Sequence, residues 1–179
     1  DGGTQTVATQ TEAVIAVYDV ANRKKLGEYS VRAGVNPDSD LVFDLEGMDN
    51  IPTYISGLAQ DPETGKIWGL VSRTLFTMEF DRATNRLKMH EEWCMDVIGK
   101  NGYPVSGSLS WFPRALLFNN GYLYTNLELG GGFFRMKTDD PSTMEQIDKT
   151  SCRIYTIGTD GNLYFGEGTY LYVIGLTRI

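Results

Sequence analysis

Three stretches of the sequence share one local pattern, a glycine-containing turn followed by a strand-forming run in which an aliphatic residue precedes an aromatic one. They are residues 66–71 after Gly65, residues 122–127 after Asn119-Asn120-Gly121, and residues 162–165 after Asp160-Gly161. Glycine tolerates the positive φ of tight turns between antiparallel strands, so each stretch predicts a β-hairpin. Their recurrence predicts a chain built from copies of one antiparallel unit.

The best-preserved copy of this unit spans residues 55–93. It contains four strand-forming runs, at residues 55–60, 66–71, 74–80 and 87–93. Weaker copies flank it: a hairpin within residues 13–31, a second four-stranded unit within residues 114–148, and three strands in the remainder. The sequence therefore predicts two outer strands, two full units and three strands of another.

This arrangement resembles the four-stranded blades of β-propellers in the broad YVTN, NHL and Kelch-like group, over most of residues 11–179. The resemblance implies an all-β fold, a β-propeller or partial propeller built from four-stranded antiparallel blades. Residues 1–179 would form a single propeller-like domain or a fragment of a larger ring. A β-sandwich would show similar strands without the repeated order of turns, so the repetition favours the propeller.

Composition narrows the classes of partner. The net charge of -7 argues against a nucleic-acid binder, because phosphate contacts need clustered Lys and Arg. No apolar run is long enough to predict a membrane span. The 20 glycines, the 12% aromatic content and a first residue, Asp1, that is not Met favour an extracellular or cell-surface protein, either processed or excised from a longer chain.

Neither a metal nor a cofactor is expected. The acidic stretch at residues 32–54 lacks the spacing of a calcium loop and predicts a solvated loop. Cys94 and Cys152 fit neither a zinc site nor a disulfide-dense scaffold, so two free thiols are expected, with a single bridge as the alternative.

In a propeller, the connections between blades and those between a blade's second and third strands emerge on one face. The long connections at residues 32–54 and 95–112 would lie there, and long loops on a rigid scaffold commonly carry binding residues. This reasoning predicts a non-catalytic module that binds a protein or glycan through that face. The candidate binding residues are Tyr54, Arg73, Tyr103, Trp111, Phe112, Glu128 and Glu167.

An enzyme is the less favoured interpretation. His90 is the only histidine, and the alternation of its strand predicts that it is exposed and structural. The alternative function is a glycoside hydrolase or lyase that uses Glu128 and Glu167 as paired carboxylates. Open sheet edges at the two ends of a partial propeller would also invite self-association.

Overall fold

The computed structural model describes residues 13–42, 55–71, 74–94, 115–127 and 131–178. This part of the chain is all-β, and its only helical segments are single 3₁₀ turns at Pro141–Thr143 and Leu176–Arg178. The strands are β1 (Val14–Asp19), β2 (Lys24–Ser30), β3 (Ile55–Gln60), β4 (Ile67–Val71), β5 (Thr74–Asp81), β6 (Arg86–Cys94), β7 (Leu117–Asn119), β8 (Tyr122–Leu127), β9 (Gly132–Lys137), β10 (Glu145–Asp148), β11 (Tyr155–Ile157), β12 (Asn162–Glu167) and β13 (Tyr170–Gly175).

These strands form four antiparallel sheets in which neighbours along the chain are neighbours in the sheet. Sheet I contains β1 and β2, sheet II contains β3 to β6, sheet III contains β7 to β10, and sheet IV contains β11 to β13. The predicted tally of two, four, four and three strands is confirmed in the described residues, and so is the all-β fold class.

Acidic side chains hold several of the hairpin turns. Asp61 accepts hydrogen bonds from the backbone N–H of Glu63 (2.9 Å) and the hydroxyl of Thr64 (2.5 Å). Asp81 likewise accepts hydrogen bonds from the backbone N–H of Ala83 (2.8 Å) and the hydroxyl of Thr84 (2.7 Å). Gly65 then takes a φ of +74°, a conformation that a side chain would disfavour. These local bonds stabilise the turns that join the strands.

Apolar side chains pack the sheets together in chain order, and sheets II and III each contribute to two apolar clusters. Between sheets I and II lie Ala13, Ile15, Val31, Leu41, Val71, Phe76, Leu87 and Met89. Between sheets II and III lie Trp68, Leu70, Leu75, Leu116, Leu123, Leu127, Phe134, Met136 and Met144. Between sheets III and IV lie Tyr124, Phe133, Cys152, Leu163, Phe165 and Leu176. The core is thus three layers rather than one.

The first strands of sheets II, III and IV adjoin one another. Gly57 of β3 faces the segment just before β7 so closely that a Cβ there would lie 3.2 Å from Cγ of Leu116. Ala115, next to Leu116, accepts a hydrogen bond of 2.6 Å from the hydroxyl of Tyr155, the first residue of β11. Three stacked sheets therefore share one line of contact, along their first strands.

No helix in the described ranges is long and apolar enough to span a bilayer.

Candidate functional site

At one end of sheet II, the strands adjoin in sequence the segments that are predicted to be functional. Ile55, Val71, Thr74 and Cys94 form a single row of paired residues across the four strands. The start of the first strand, the end of the second, the start of the third and the end of the fourth therefore lie side by side. We call this end of each sheet the loop end.

The loop ends of sheets II, III and IV meet at the hydroxyl of Tyr155. This hydroxyl donates to the carbonyl of Ala115, which precedes β7, and accepts a 3.0 Å hydrogen bond from the backbone N–H of Asn126 near the end of β8. Ala115 in turn adjoins Gly57, near the start of β3. Residues from the loop ends of three successive sheets are thus within direct contact of one another.

The side chain of Asn126 fastens the chain between sheets III and IV. It is fully buried, its amide donates to the carbonyl of Thr150 at 2.9 Å, and its oxygen accepts from the backbone N–H of Cys152 at 3.1 Å. Asn126 is not among the residues predicted from the sequence to be functional. A signal was present, because Thr125 and Asn126 are polar residues inside an otherwise apolar strand, and buried polar groups of this kind are retained only when they are bonded.

Cys152 is buried and carries a free thiol, so the two cysteines do not form a bridge. The pKa of this thiol is raised to about 11, chiefly by burial; the N–H of Ile154 lowers it, and the carboxylates of Glu167 and Asp148 add smaller increases. Because the thiolate is the reactive form, a thiol with this pKa is inert at neutral pH. Cys152 is therefore a packing residue, as expected of a structural thiol.

Of the seven predicted binding residues, Glu167 is the one within the described residues. It is the last residue of β12, it pairs with Tyr170 across the hairpin at the loop end of sheet IV, and its side chain is exposed. The other six predictions lie outside the described residues, at Tyr54, Arg73, Tyr103, Trp111, Phe112 and Glu128. The separation of Glu128 and Glu167, on which the hydrolase alternative depends, is likewise not defined by the described ranges.

Aromatic rings accompany Glu167 on the same hairpin. Tyr170 is 70% exposed, and its ring centroid lies 6.3 Å from that of Tyr172. Tyr172 stacks on Phe165 with centroids 5.3 Å apart and an interplanar angle of 16°. An exposed carboxylate next to exposed tyrosine rings supplies hydrogen-bond acceptors and an apolar stacking surface, a combination suited to a polar ligand with apolar faces.

A second feature is an open cavity of about 280 Å³ on sheet II, away from the loop end. It is lined by Lys66, Thr77, Met78, Glu79, Lys88, Met89 and His90. His90 is exposed, as predicted, and Asp40 contacts its Nδ1 at 2.5 Å. The hydroxyl of Thr77, which is paired with His90 across the strands, donates to Glu92 at 2.7 Å, so it is not positioned as a nucleophile for this histidine.

The acidic segment before sheet II corrects one prediction. Residues 36–41 are not a solvated loop but pack along β6, where Ser39 forms a parallel bridge with Met89. Asp38 makes an ion pair with Arg86. These partners are about 50 positions away in the sequence, so the acidic spacing alone could not reveal them. In the described ranges, no group of three or more His, Cys, Asp or Glu is placed to hold a metal ion.

No protein-family model matches the chain, and neither does any curated protein sequence. Two examples of solved structures with a similar arrangement of strands follow. Over 85% of its length the chain is similar to a luciferin-regenerating enzyme, with a TM-score of 0.55 and 14% identity. Over 93% of its length it is similar to the extracellular domain of a one-component system from B. thetaiotaomicron, with a TM-score of 0.54 and 16% identity.

The chain matches only part of each of these proteins. It covers 43% of the luciferin-regenerating enzyme and 19% of the bacterial chain. At identities this low, the likeness concerns the arrangement of strands and not the chemistry of either protein.

Proposed function

We propose that this chain is a β-propeller-type scaffold, or a part of one, that binds a protein or glycan ligand through the loop ends of sheets II, III and IV without catalysing a reaction. The observation that supports the proposal most is the contact of Tyr155 with Ala115 and Asn126, which brings three successive loop ends together. Stacked sheets with adjoining first strands are what a propeller requires.

The rigidity of this end favours binding. Asn126 and Tyr155 tie the strand ends through bonds that are buried or partly buried, so these strand ends form a fixed frame. Functional loops are commonly held in this way, because a fixed frame lowers the entropy lost on binding. The exposed Tyr170 and Glu167 extend the same surface onto sheet IV.

An extracellular location belongs to the same proposal. One structural neighbour is named as an extracellular domain, and the composition of the chain is rich in glycine and aromatic residues. A glycan or a secreted protein is the ligand class that such a location would offer.

The proposal is tested by probing a glycan array with the labelled chain and measuring the affinity of any bound glycan by titration calorimetry. We expect Tyr170→Ala and Trp111→Ala to weaken binding by roughly tenfold or more, which corresponds to about 1.4 kcal/mol. Arg82→Ala is the matched control, because Arg82 is 75% exposed in the β5–β6 turn at the opposite end of sheet II.

Two results would contradict the proposal. One is an array without binding, followed by a pull-down from secreted proteins that also yields no specific partner. The other is a bound ligand whose affinity falls with Arg82→Ala and not with either aromatic substitution, since this would place the binding surface at the opposite end of the sheets.

A further inference from the structure

The last strand of each sheet, β2, β6, β10 or β13, forms what we call its outer edge. The four outer edges differ in how their unpaired backbone groups are protected. An unpaired edge strand exposes a row of backbone N–H and C=O groups that can pair with another chain, and folded proteins usually cover or charge such edges. Sheets I, II and III follow this rule. Sheet IV does not follow it, and this difference indicates where a strand of a second chain can pair.

The edge of sheet II is covered by the segment at residues 36–41. The N–H of Met89 donates to Asp38 at 2.9 Å, and its carbonyl accepts from the N–H of Asp40 at 3.2 Å. On either side, the carbonyl of Leu87 accepts from the Asn36 amide at 3.2 Å, and the N–H of Glu91 donates to the Asp40 carboxylate at 2.7 Å. Four outward backbone groups of β6, from the carbonyl of Leu87 to the N–H of Glu91, are thus occupied.

The outer strands of sheets III and I are protected by charge and irregularity. β10 is only four residues long, carries Glu145 and Asp148, and has a register shift in its pairing with β9. β2 carries Lys24, Lys25 and Glu28, and the pairing of β1 with β2 is also shifted. Charges and bulges of this kind disfavour the addition of a further strand.

β13 has none of these devices. Its six residues, Tyr-Leu-Tyr-Val-Ile-Gly, include no charged residue and no proline, and its pairing with β12 is regular throughout. Four consecutive side chains are 70%, 73%, 41% and 53% exposed, from Tyr170 to Val173. No strand in the described part of the chain pairs with its outer edge, whereas sheets II and III each have a fourth strand at that position.

We propose that β13 pairs with β13 of a second copy of this chain, antiparallel and edge to edge, which joins two sheets IV into one six-stranded sheet. The strand is self-complementary, because every in-phase antiparallel register places apolar residues opposite apolar residues, and such cross-strand pairs are stabilising. Pairing of identical strands about a twofold axis also closes the assembly at two chains. This inference does not rest on the proposed ligand-binding function.

The test is the mass of the chain in solution. Sedimentation equilibrium should give a concentration-dependent mass that approaches twice the 20.0 kDa of one chain. The double variant Leu171→Lys, Val173→Lys should remain a monomer over the same range. Both side chains are on the face of sheet IV opposite Leu163 and Ile174, so the variant retains the packing against sheet III. Val20→Lys, Val35→Lys is the control, with the same charge change at exposed turn positions, and should still dimerise.

Hydrogen exchange on the unmodified chain provides a measurement that needs no variant. Amides of residues 170–175 should gain protection as the concentration rises, while those of β1 (Val14–Asp19) should not. A chain that stays monomeric at high concentration would overturn the proposal, as would dimers that persist in the Leu171→Lys, Val173→Lys variant. Assemblies larger than two chains would also overturn it, since they indicate pairing between different edges.

Discussion

The carboxylate of Asp40 lies 2.5 Å from Nδ1 of His90, a contact between residues 50 positions apart in the sequence. The other oxygen of the same carboxylate accepts the N–H of Glu91 at 2.7 Å. One acidic side chain therefore holds both a side chain and a backbone group of β6. This contact fastens the segment that covers the edge of sheet II, and it gives that segment a dependence on pH.

The stability contributed by this contact should be lost as the pH rises. The hydrogen bond to Asp40 raises the pKa of His90 above its ordinary value, and the charges of Asp40, Glu92 and Glu91 act in the same direction. A group whose pKa is raised on folding contributes its full stabilisation below the unfolded pKa, about 6.5, and loses it as the pH passes the raised folded value. Because His90 is exposed, we expect the contact to contribute about 0.2–1 kcal/mol to the free energy of unfolding.

The measurement is urea unfolding of the wild type and of His90→Gln at several pH values. The difference in the free energy of unfolding between wild type and His90→Gln should be largest below about pH 6. It should vanish well above the raised pKa of His90. Asp40→Asn is the matched variant, since it retains an acceptor for the N–H of Glu91 and should remove the same pH-dependent part. Parallel stability profiles for wild type and His90→Gln would show that the pair contributes nothing.

Gly69 is required by its neighbour and not by its backbone conformation. It pairs with Phe76 across β4 and β5, and a Cβ at this position would lie 2.2 Å from Cζ of the phenylalanine ring. Phe76 is completely buried between sheets I and II, so the ring cannot move aside. We expect Gly69→Ala to lower the free energy of unfolding by about 1–3 kcal/mol. Gly34, whose Cβ would meet nothing within 4 Å, is the control and should change by less than about 1 kcal/mol when replaced by Ala.

The hydroxyl of Tyr155 should stabilise the fold more than an exposed hydroxyl does. Tyr155→Phe removes the partner of both Ala115 and Asn126 but keeps the ring, which packs edge-on against Phe133 with centroids 5.2 Å apart. We expect a loss of about 1–3 kcal/mol in urea unfolding, because a partly buried N–H is left without an acceptor. Tyr164→Phe loses only an exposed bond to Asp160 and should cost less. Equal losses would mean that the Tyr155 bridge is not a special contact.

Local patterns were sufficient to predict the strands. In β6, Leu87 and Met89 are buried while Lys88 and His90 are exposed, which is the period of two read directly from the sequence. The turns also depend on local contacts, since the carboxylates of Asp61 and Asp81 accept hydrogen bonds from residues two and three positions ahead. Strand order then followed, because short hairpin turns leave each strand only its chain neighbours to pair with.

Contacts between distant residues were not predictable in this way. The acidic residues Asp38 and Asp40 look like those of a solvated loop until β6 supplies Arg86 and His90 as partners. The convergence at Tyr155 depends on how whole sheets pack, which no local period encodes. The candidate binding residues were even less constrained, because long connections such as residues 95–112 carry no periodic pattern from which a position could be derived.

The central claim is that the first strands of successive sheets lie side by side, which is the condition for a shared loop-end surface. It is tested most directly by oxidising a Gly57→Cys, Leu116→Cys variant in which Cys94 is replaced by Ser. A Cβ at residue 57 would lie 3.2 Å from Cγ of Leu116, within the reach of a disulfide. Cys152 is buried, with a pKa of about 11, and should not compete.

We predict that this pair forms a disulfide under mild oxidation. The folded chain should lose two titratable thiols with no change in its oligomeric state. The control pair is Leu58→Cys with Leu116→Cys, because residue 58 points to the opposite side of β3 from residue 57, and this pair should remain reduced. Thiols that stay free in the Gly57→Cys, Leu116→Cys variant, or that close equally in both pairs, would contradict the arrangement of sheets on which the proposed binding surface depends.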